Sequence, residues 1–358
     1  MQSVIMVVGL VLSRPDSVRP TRRALKRLRA RCRARGRDRC GWLDLALILL
    51  GYSMIFGPTS ILADPLQLGL DLSAGYDTNP AQSQEGPELA FARYAVTLSR
   101  PIPWNESNLG LSIGGWYRDY EAANDSYRLT LGADWQHDLW EGLGLLRLAL
   151  EGAAYRDALV PADERDEIAV TARVARILNA RATLGLTAEA RRLAYRNASL
   201  PWSGRPGSSR AGASAGRSES AGMGLATRRD DDLFGVGLDL SYDWAPEVAT
   251  RLSLTAARCD SPVPVQAYWR HGVGLDVETI PRASWRLSLG LSLSRTAYDR
   301  APRRDTRTDD QLGASLALRR DLGEVEGFCA LAWLKSDSTV ESRSFRQWVS
   351  SCGLAWSY

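Results

Sequence analysis

At 358 residues the chain is long enough for one large domain or two ordinary ones. Its formal charge of +4 sits at one end: residues 1–63 hold 12 of the 45 Lys and Arg but only 3 of the 41 Asp and Glu, so 64–358 carry 33 basic and 38 acidic groups. That distribution excludes a chain-wide polycation for nucleic acid, and two His with five Cys in no CxxC spacing supply no metal-ligand set, cofactor motif or dense disulfide framework.

In chain order, the first feature is an arginine-rich stretch, residues 22–39, holding Cys32 and followed at once by Cys40. An apolar run from Leu45 to Phe56 follows, broken by Gly57-Pro58 and succeeded by Ile61-Leu62-Ala63. A positive segment, a short apolar segment and a small residue form the pattern of a secretory signal. We read 1–63 as a basic leader and signal peptide cleaved after Ala63, with a translation start downstream of residue 1 accounting for the long basic segment. No apolar run reaches the ~18 residues of a membrane-spanning helix.

From residue 64 onward one device repeats: segments of about ten residues alternate apolar with small or polar side chains, the period of a strand with two unlike faces. Leu66, Leu68, Leu70, Leu72, Ala74 and Tyr76 oppose Gln67, Gly69, Asp71, Ser73 and Gly75. Trp285, Leu287, Leu289, Leu291 and Leu293 oppose Arg286, Ser288, Gly290, Ser292 and Ser294. Read this way, strands fall at 65–76, 89–99, 108–120, 126–137, 143–156, 166–177, 181–193, 232–243, 248–258, 263–277, 284–297, 310–320, 324–335 and 344–358. Alternate connections are tight, whereas 77–88, 157–165, 194–231 and 298–309 are long. An even strand number with short turns at one end and loops at the other predicts an all-β, transmembrane, antiparallel up-and-down barrel of about 14 strands. A soluble sandwich also alternates, but its exposed strands carry Lys and Glu; residues 64–358 hold a single lysine, Lys335.

Twelve Trp and twelve Tyr against five Phe suit a membrane–water interface. The strand pattern predicts one outward ring of Trp135, Trp140, Trp244, Trp285, Trp356 and Tyr358 and another of Tyr76, Tyr117, Tyr127, Tyr155, Tyr195 and Tyr298. The last segment alternates through Trp348, Ser350, Cys352, Leu354 and Trp356 to a terminal aromatic, Tyr358. This resembles the C-terminal signal by which the barrel-assembly machinery recognises outer-membrane substrates, though most such signals end in Phe. Gly75-Tyr76-Asp77-Thr78-Asn79 resembles the Gly-Tyr-Asp-x-Asn opening of many barrel proteins, including the barrel of the surface lipoprotein assembly modifiers. Ser336-Asp337-Ser338 leading through Ser344-Phe345 extends that similarity. It implies an outer-membrane location, contact with outer-membrane lipids and, as the alternative function, export of a lipoprotein client or another envelope component.

Few residues invite chemistry. His137 falls in phase with the outward Leu129, Leu131 and Trp135, as an interfacial side chain. His271, in phase with Trp269, Val273 and Leu275, is expected to meet lipid near mid-strand, and no outward Ser lies beside it to make a catalytic pair. We therefore expect no catalytic residue and no cofactor. Arg93, Arg118, Arg128, Arg147, Arg173, Arg251, Arg270, Arg286 and Arg319, with Asp71, Asp134, Glu151, Asp239 and Asp276, form the candidate pore lining. Arginine exceeds acid in that set, so a water-filled lumen would lean toward anions, unless the charges pair and fill the interior. Residues 197–231 form a Gly/Ser/Arg-rich loop that cannot bury a core. Register pairing of Trp333 with Trp348 would set Cys329 opposite Cys352, in position for a disulfide. The expected function is a non-enzymatic pore for small solutes.

Overall fold

The computed structural model describes residues 66–121, 124–197, 229–300 and 306–358. They form fourteen antiparallel strands: β1 (Gln67–Asp77), β2 (Leu89–Trp104), β3 (Ser107–Tyr120), β4 (Ser126–Leu139), β5 (Gly144–Asp157), β6 (Arg165–Asn179), β7 (Ala182–Tyr195), β8 (Asp230–Ala245), β9 (Val248–Asp260), β10 (Tyr268–Arg282), β11 (Trp285–Tyr298), β12 (Thr308–Asp321), β13 (Val325–Ser338) and β14 (Phe345–Ser357). Each strand pairs with its neighbours in sequence, and β1 pairs with β14 from Gly69↔Ser357 to Asp77↔Val349, closing the barrel. With strands about 4.8 Å apart and tilted about 40°, fourteen of them enclose a backbone cylinder of about 14 Å radius.

At one end the connections are tight. Asn105 (φ 53°) supplies the left-handed residue of the two-residue β2–β3 turn. Gly323 (φ 96°) does so between β12 and β13, where its N–H donates to Asp321 Oδ1 at 2.8 Å. The register shifts at Ile177/Asn179, Asp243/Ala245 and Thr279/Arg282 all lie at this turn end. The opposite, loop end carries the longer connections, including 78–88, 158–164 and 261–267.

The outer surface is the apolar one. Leu72, Leu131, Leu186, Val236 and Leu291 are among its exposed large hydrophobics, Leu131 at 65% exposure. From Trp285 to Arg295 is ten residues, and at about 3.3 Å each with a 40° tilt the apolar band stands about 25 Å tall, the height of a membrane barrel's belt. At the loop end the belt gives way to outward ion pairs: Arg156–Asp166 at 2.6 Å, Lys335–Asp337 at 2.6 Å and Arg258–Asp299 at 2.6 Å. The Arg258 donors hold the Asp299 carboxyl, on the β11–β12 loop, below the ordinary carboxylate range. At the turn end the outward aromatics pair with arginines instead: Arg176 lies 5.4 Å from the Trp140 ring and Arg320 5.0 Å from Trp285.

Three expectations need correction. The tenth strand begins at Tyr268, not 263, because Pro264–Gln266 form a 3-10 turn in a segment whose prolines cannot feed a ladder. His271 therefore faces outward near the loop end, stacked on Trp269 at 6.4 Å, rather than at mid-strand. Of the six tyrosines assigned to the loop-end outward ring, Tyr155, Tyr195 and Tyr298 point inward, for they share parity with the interior residues of their strands. The long loop ends earlier than expected, since β8 starts at Asp230. Its residues 198–228 and the leader, 1–63, lie outside the described residues. Cys329 and Cys352, opposite each other on the outward face of β13 and β14, form a disulfide.

Candidate functional site

The strand ladder sends every second side chain into the interior, and all fourteen candidate lining residues point there. The register adds residues that alternation alone did not single out. Asp77, Glu167, Glu189, Asp231, Glu278, Asp309 and Glu326 also face inward, joined by only two further strand arginines, Arg165 and Arg191. Acids thus outnumber arginines inside the strands, and the expected arginine excess is corrected.

Most of these charges are paired. Glu167, nearly buried, accepts from Arg165 at 2.7 Å and Arg128 at 3.0 Å, with Arg191 at 3.4 Å. Asp239 joins Arg173 at 2.9 Å to Arg251 at 3.2 Å. Glu326 joins Arg286 and Arg319, both at 2.7 Å. Arg93–Asp71 (3.3 Å), Arg147–Asp134 (3.4 Å), Arg128–Glu151 (3.0 Å) and Arg191–Glu189 (2.7 Å) are further pairs. Asp276 faces Arg251 across the β9–β10 register. Of the nine candidate arginines, Arg118 and Arg270 have no carboxylate within ion-pair distance among the described residues.

The interior is lopsided. Strands β3–β7 contribute the bulk: Arg118, Trp116, Arg128, Arg147, Glu151, Glu167, Glu189 and Arg191. On β8–β13 most inward positions at mid-height are small: Gly235, Gly237, Ser253, Thr255, Gly272, Gly274, Gly290, Ser292, Gly313, Ser315, Ala330 and Ala332, with Asp239 opposite Ser253 and Asp276 opposite Gly290 and Arg251 as the charged exceptions. The small side chains scarcely leave the backbone, so apart from the Asp239, Arg251 and Asp276 cluster this wall is smooth from near the loop end to the Arg286–Glu326–Arg319 group near the turn end.

Burial shows where the lumen narrows. Leu89, Phe91, Tyr120, Leu193, Tyr195, Tyr268, Thr296 and Phe345 are all buried, inward and close to the loop end. Five inward tyrosines there each carry an arginine over or beside the ring: Arg118 at 5.6 Å from Tyr120, Arg165 at 5.1 Å from Tyr155, Arg229 at 4.0 Å from Tyr195, Arg270 at 5.1 Å from Tyr268 and Arg307 at 4.0 Å from Tyr298. Each pair joins an apolar ring to a cation, and in Arg165, Arg229 and Arg307 that cation also donates to a neighbouring carboxylate. This Tyr–Arg collar went unseen in the sequence because three of its five tyrosines, Tyr155, Tyr195 and Tyr298, were assigned to the outer face and Tyr120 and Tyr268 to neither.

The opening motif also lies at the loop end, at the seam between the first and last strands. Asp77, 1% exposed, accepts from Gln347 Nε2 at 2.9 and 3.0 Å, from the Asn79 N–H at 3.0 Å and from the Tyr120 hydroxyl at 3.4 Å. Asn79 Nδ2 donates to the Ser83 carbonyl at 2.7 Å and across the seam to that of Arg346 at 3.2 Å. A Cβ at Gly75 would stand 2.1 Å from the Ser350 carbonyl oxygen and 2.6 Å from the Phe91 ring, so only glycine fits. The motif fastens the barrel shut.

One Ser–His contact exists outside the lumen. Ser107 Oγ lies 2.9 Å from His137 Nδ1 on the outward face at the turn end, and the His137 ring stacks on Trp135 at 5.5 Å. Among the described residues no carboxylate reaches that ring, so the third member of a hydrolytic triad is missing.

Compared with protein families and with curated proteins, the sequence matches none. Among solved structures it is similar to the outer-membrane expressed OmpT of Vibrio cholerae (8% identity, 83% of this chain and 98% of that one, TM-score 0.47). It is also similar to an anion-selective porin from Comamonas acidovorans (9%, 83% and 99%, TM-score 0.46) and to a mutant of the TodX monoaromatic hydrocarbon channel (11%, 85% and 91%, TM-score 0.44). Values this low go with a closed-barrel architecture at most and assign no activity.

Proposed function

We propose that the chain is a pore of a bacterial outer membrane that passes small hydrophilic solutes along the smooth wall of its lumen. The observation that carries this reading is the lopsided interior. A cylinder of about 14 Å radius whose β8–β13 wall is mostly glycine, serine, threonine and alanine, with Asp239, Arg251 and Asp276 its charged members at mid-height, keeps a water-sized path open even where the β3–β7 charges fill the other side. The tight turns face the periplasm and the Tyr–Arg collar faces outward, following the usual turn and loop asymmetry of such barrels. A preference for anions is not a property of the interior as a whole, since paired acids balance its arginines; it resides at the collar.

The lipoprotein-export alternative rests on the opening motif. Gly75, Asp77 and Asn79 are occupied in closing the β1–β14 seam, which any barrel of this kind needs, so the motif favours no client. Purified full-length protein reconstituted in planar bilayers should give discrete conductance steps. Electrically silent protein that co-purifies with a lipoprotein would replace the pore reading with the export one.

A further inference from the structure

At the mouth, between the ends of β10, β11, β12 and β14, the inward side chains enclose a polar recess. Its cationic members are Arg229, Arg270, Arg307 and Arg343, and its one acid is Asp309. Arg307 is occupied, its Nε donating to Asp309 Oδ1 at 3.0 Å, and Arg229 is held by Asp231 at 2.6 Å. Arg270 differs. Its Nε donates to Thr296 Oγ1 at 2.9 Å, and its guanidinium carbon lies 5.1 Å from the centre of the Tyr268 ring. Thr296 is 1% exposed and Tyr268 6%, so both groups that grip Arg270 are fixed and largely dry. Its two terminal nitrogens meet no carboxylate among the described residues. A guanidinium oriented by a buried hydroxyl and a ring face, with its fork toward the lumen, is preorganised for a planar or tetrahedral oxyanion.

We propose that Arg270 anchors an oxyanion subsite at the pore mouth, which takes a small carboxylate- or phosphate-bearing solute before it enters the smooth wall. Below Arg270 on the same strand come Gly272 and Gly274, and beside them Ser294 and Ser292, so a bound anion leaves the collar directly onto that wall. Arg251, Arg286 and Arg319 lie further down, each already held by an acid, and are not part of the subsite. Binding is thus strongest where the lumen is narrowest, and passage below is shallow. The subsite rests on the pore reading for its role but not for its existence.

The test uses the full-length protein in bilayers of defined lipid, with inorganic phosphate and acetate as separate probes. Arg270→Gln should raise the half-blocking phosphate concentration about ten-fold, the scale of a lost charged hydrogen-bond pair. Arg270→Lys, which keeps charge but not the fork, should fall between, and Arg286→Gln, an equal charge loss at the other end, should stay within two-fold. Heat-modifiable gel mobility verifies that each variant is folded. Equal block in Arg270→Gln and wild type, or equal losses in Arg270→Gln and Arg286→Gln, overturns the subsite while the pore stands. If the wild type is electrically silent, the pore reading falls, and calorimetric titration of the detergent-solubilised protein decides the subsite. Phosphate or acetate heat that vanishes in Arg270→Gln supports it, and no heat from either probe overturns it. Response to one probe alone names the solute's headgroup.

Discussion

Removing the Asp77 carboxylate tests whether the opening motif is a seam latch. In Asp77→Ala, the Asn79 N–H and the Gln347 amide lose their acceptor in a region where Asp77 and Gln347 are both buried. Each buried donor left unmet costs about 1–3 kcal/mol, and the longer Tyr120 bond adds little, so the expected loss is about 2–5 kcal/mol. The compensating double variant carries the sharper prediction. Gln347→Leu in the Asp77→Ala background removes one orphaned donor and should recover about 1–2 kcal/mol, a coupling measurable in a double-mutant cycle. The readout is the temperature at which the folded, fast-migrating band is lost in detergent gels, checked by urea unfolding of the barrel in vesicles. A Gln347→Leu variant that is destabilising by the same amount with and without Asp77 would refute the latch, because Asp77 would then act without Gln347.

Three other substitutions probe different parts of the structure. Gly237→Trp projects a large ring from the smooth wall; its Cβ has only ordinary contacts, the nearest at 3.7 Å, so conductance should fall without loss of folded protein, and unchanged conductance would place the path elsewhere. Asp239→Ala leaves Arg173 and Arg251 without their shared carboxylate and should shift the reversal potential in a salt gradient toward anions, whereas an unchanged reversal potential would show that the group is not exposed to the permeating stream. Opening the Cys329–Cys352 disulfide, which spans 23 residues of sequence, should lower stability by up to about 3 kcal/mol on the chain-entropy estimate. Mass spectrometry should show the oxidised form two hydrogen atoms lighter than the reduced one, and conductance should not change, because the bond faces outward.

Strand number, closure and the inward face of the fourteen named charges were legible because period two is geometrically rigid: a side chain's face follows from its distance in sequence to any neighbour of known face. Ends were less so. The segment before Tyr268 alternates like a strand, yet its prolines withhold ladder donors and set the start five residues later. Partnerships were not legible. That Glu167 gathers three arginines from β4, β6 and β7, or that Asp239 bridges β6 and β9, depends on register and reach across strands, which no single segment encodes.

The tyrosines show how the two kinds of inference compete. Counting in twos from the inward Arg147 and Glu151 places Tyr155 inward; the same count from Arg191 places Tyr195 inward, and from Ser292 and Ser294 it does so for Tyr298. The expectation of an aromatic girdle sent all three outward, because Tyr is common at membrane interfaces. Composition is a tendency, whereas parity within an unbroken ladder is close to a constraint, and where they disagree parity should win. Tyr76, Tyr117 and Tyr127 satisfy both and do face outward. Applying parity without exception brings Tyr120, Tyr155, Tyr195, Tyr268 and Tyr298 to one level of the lumen, where loop-end arginines are the side chains that can meet them. The collar is therefore a consequence of strand phase, and a one-residue slip in any of these strands would turn its ring to the lipid and leave its arginine uncovered.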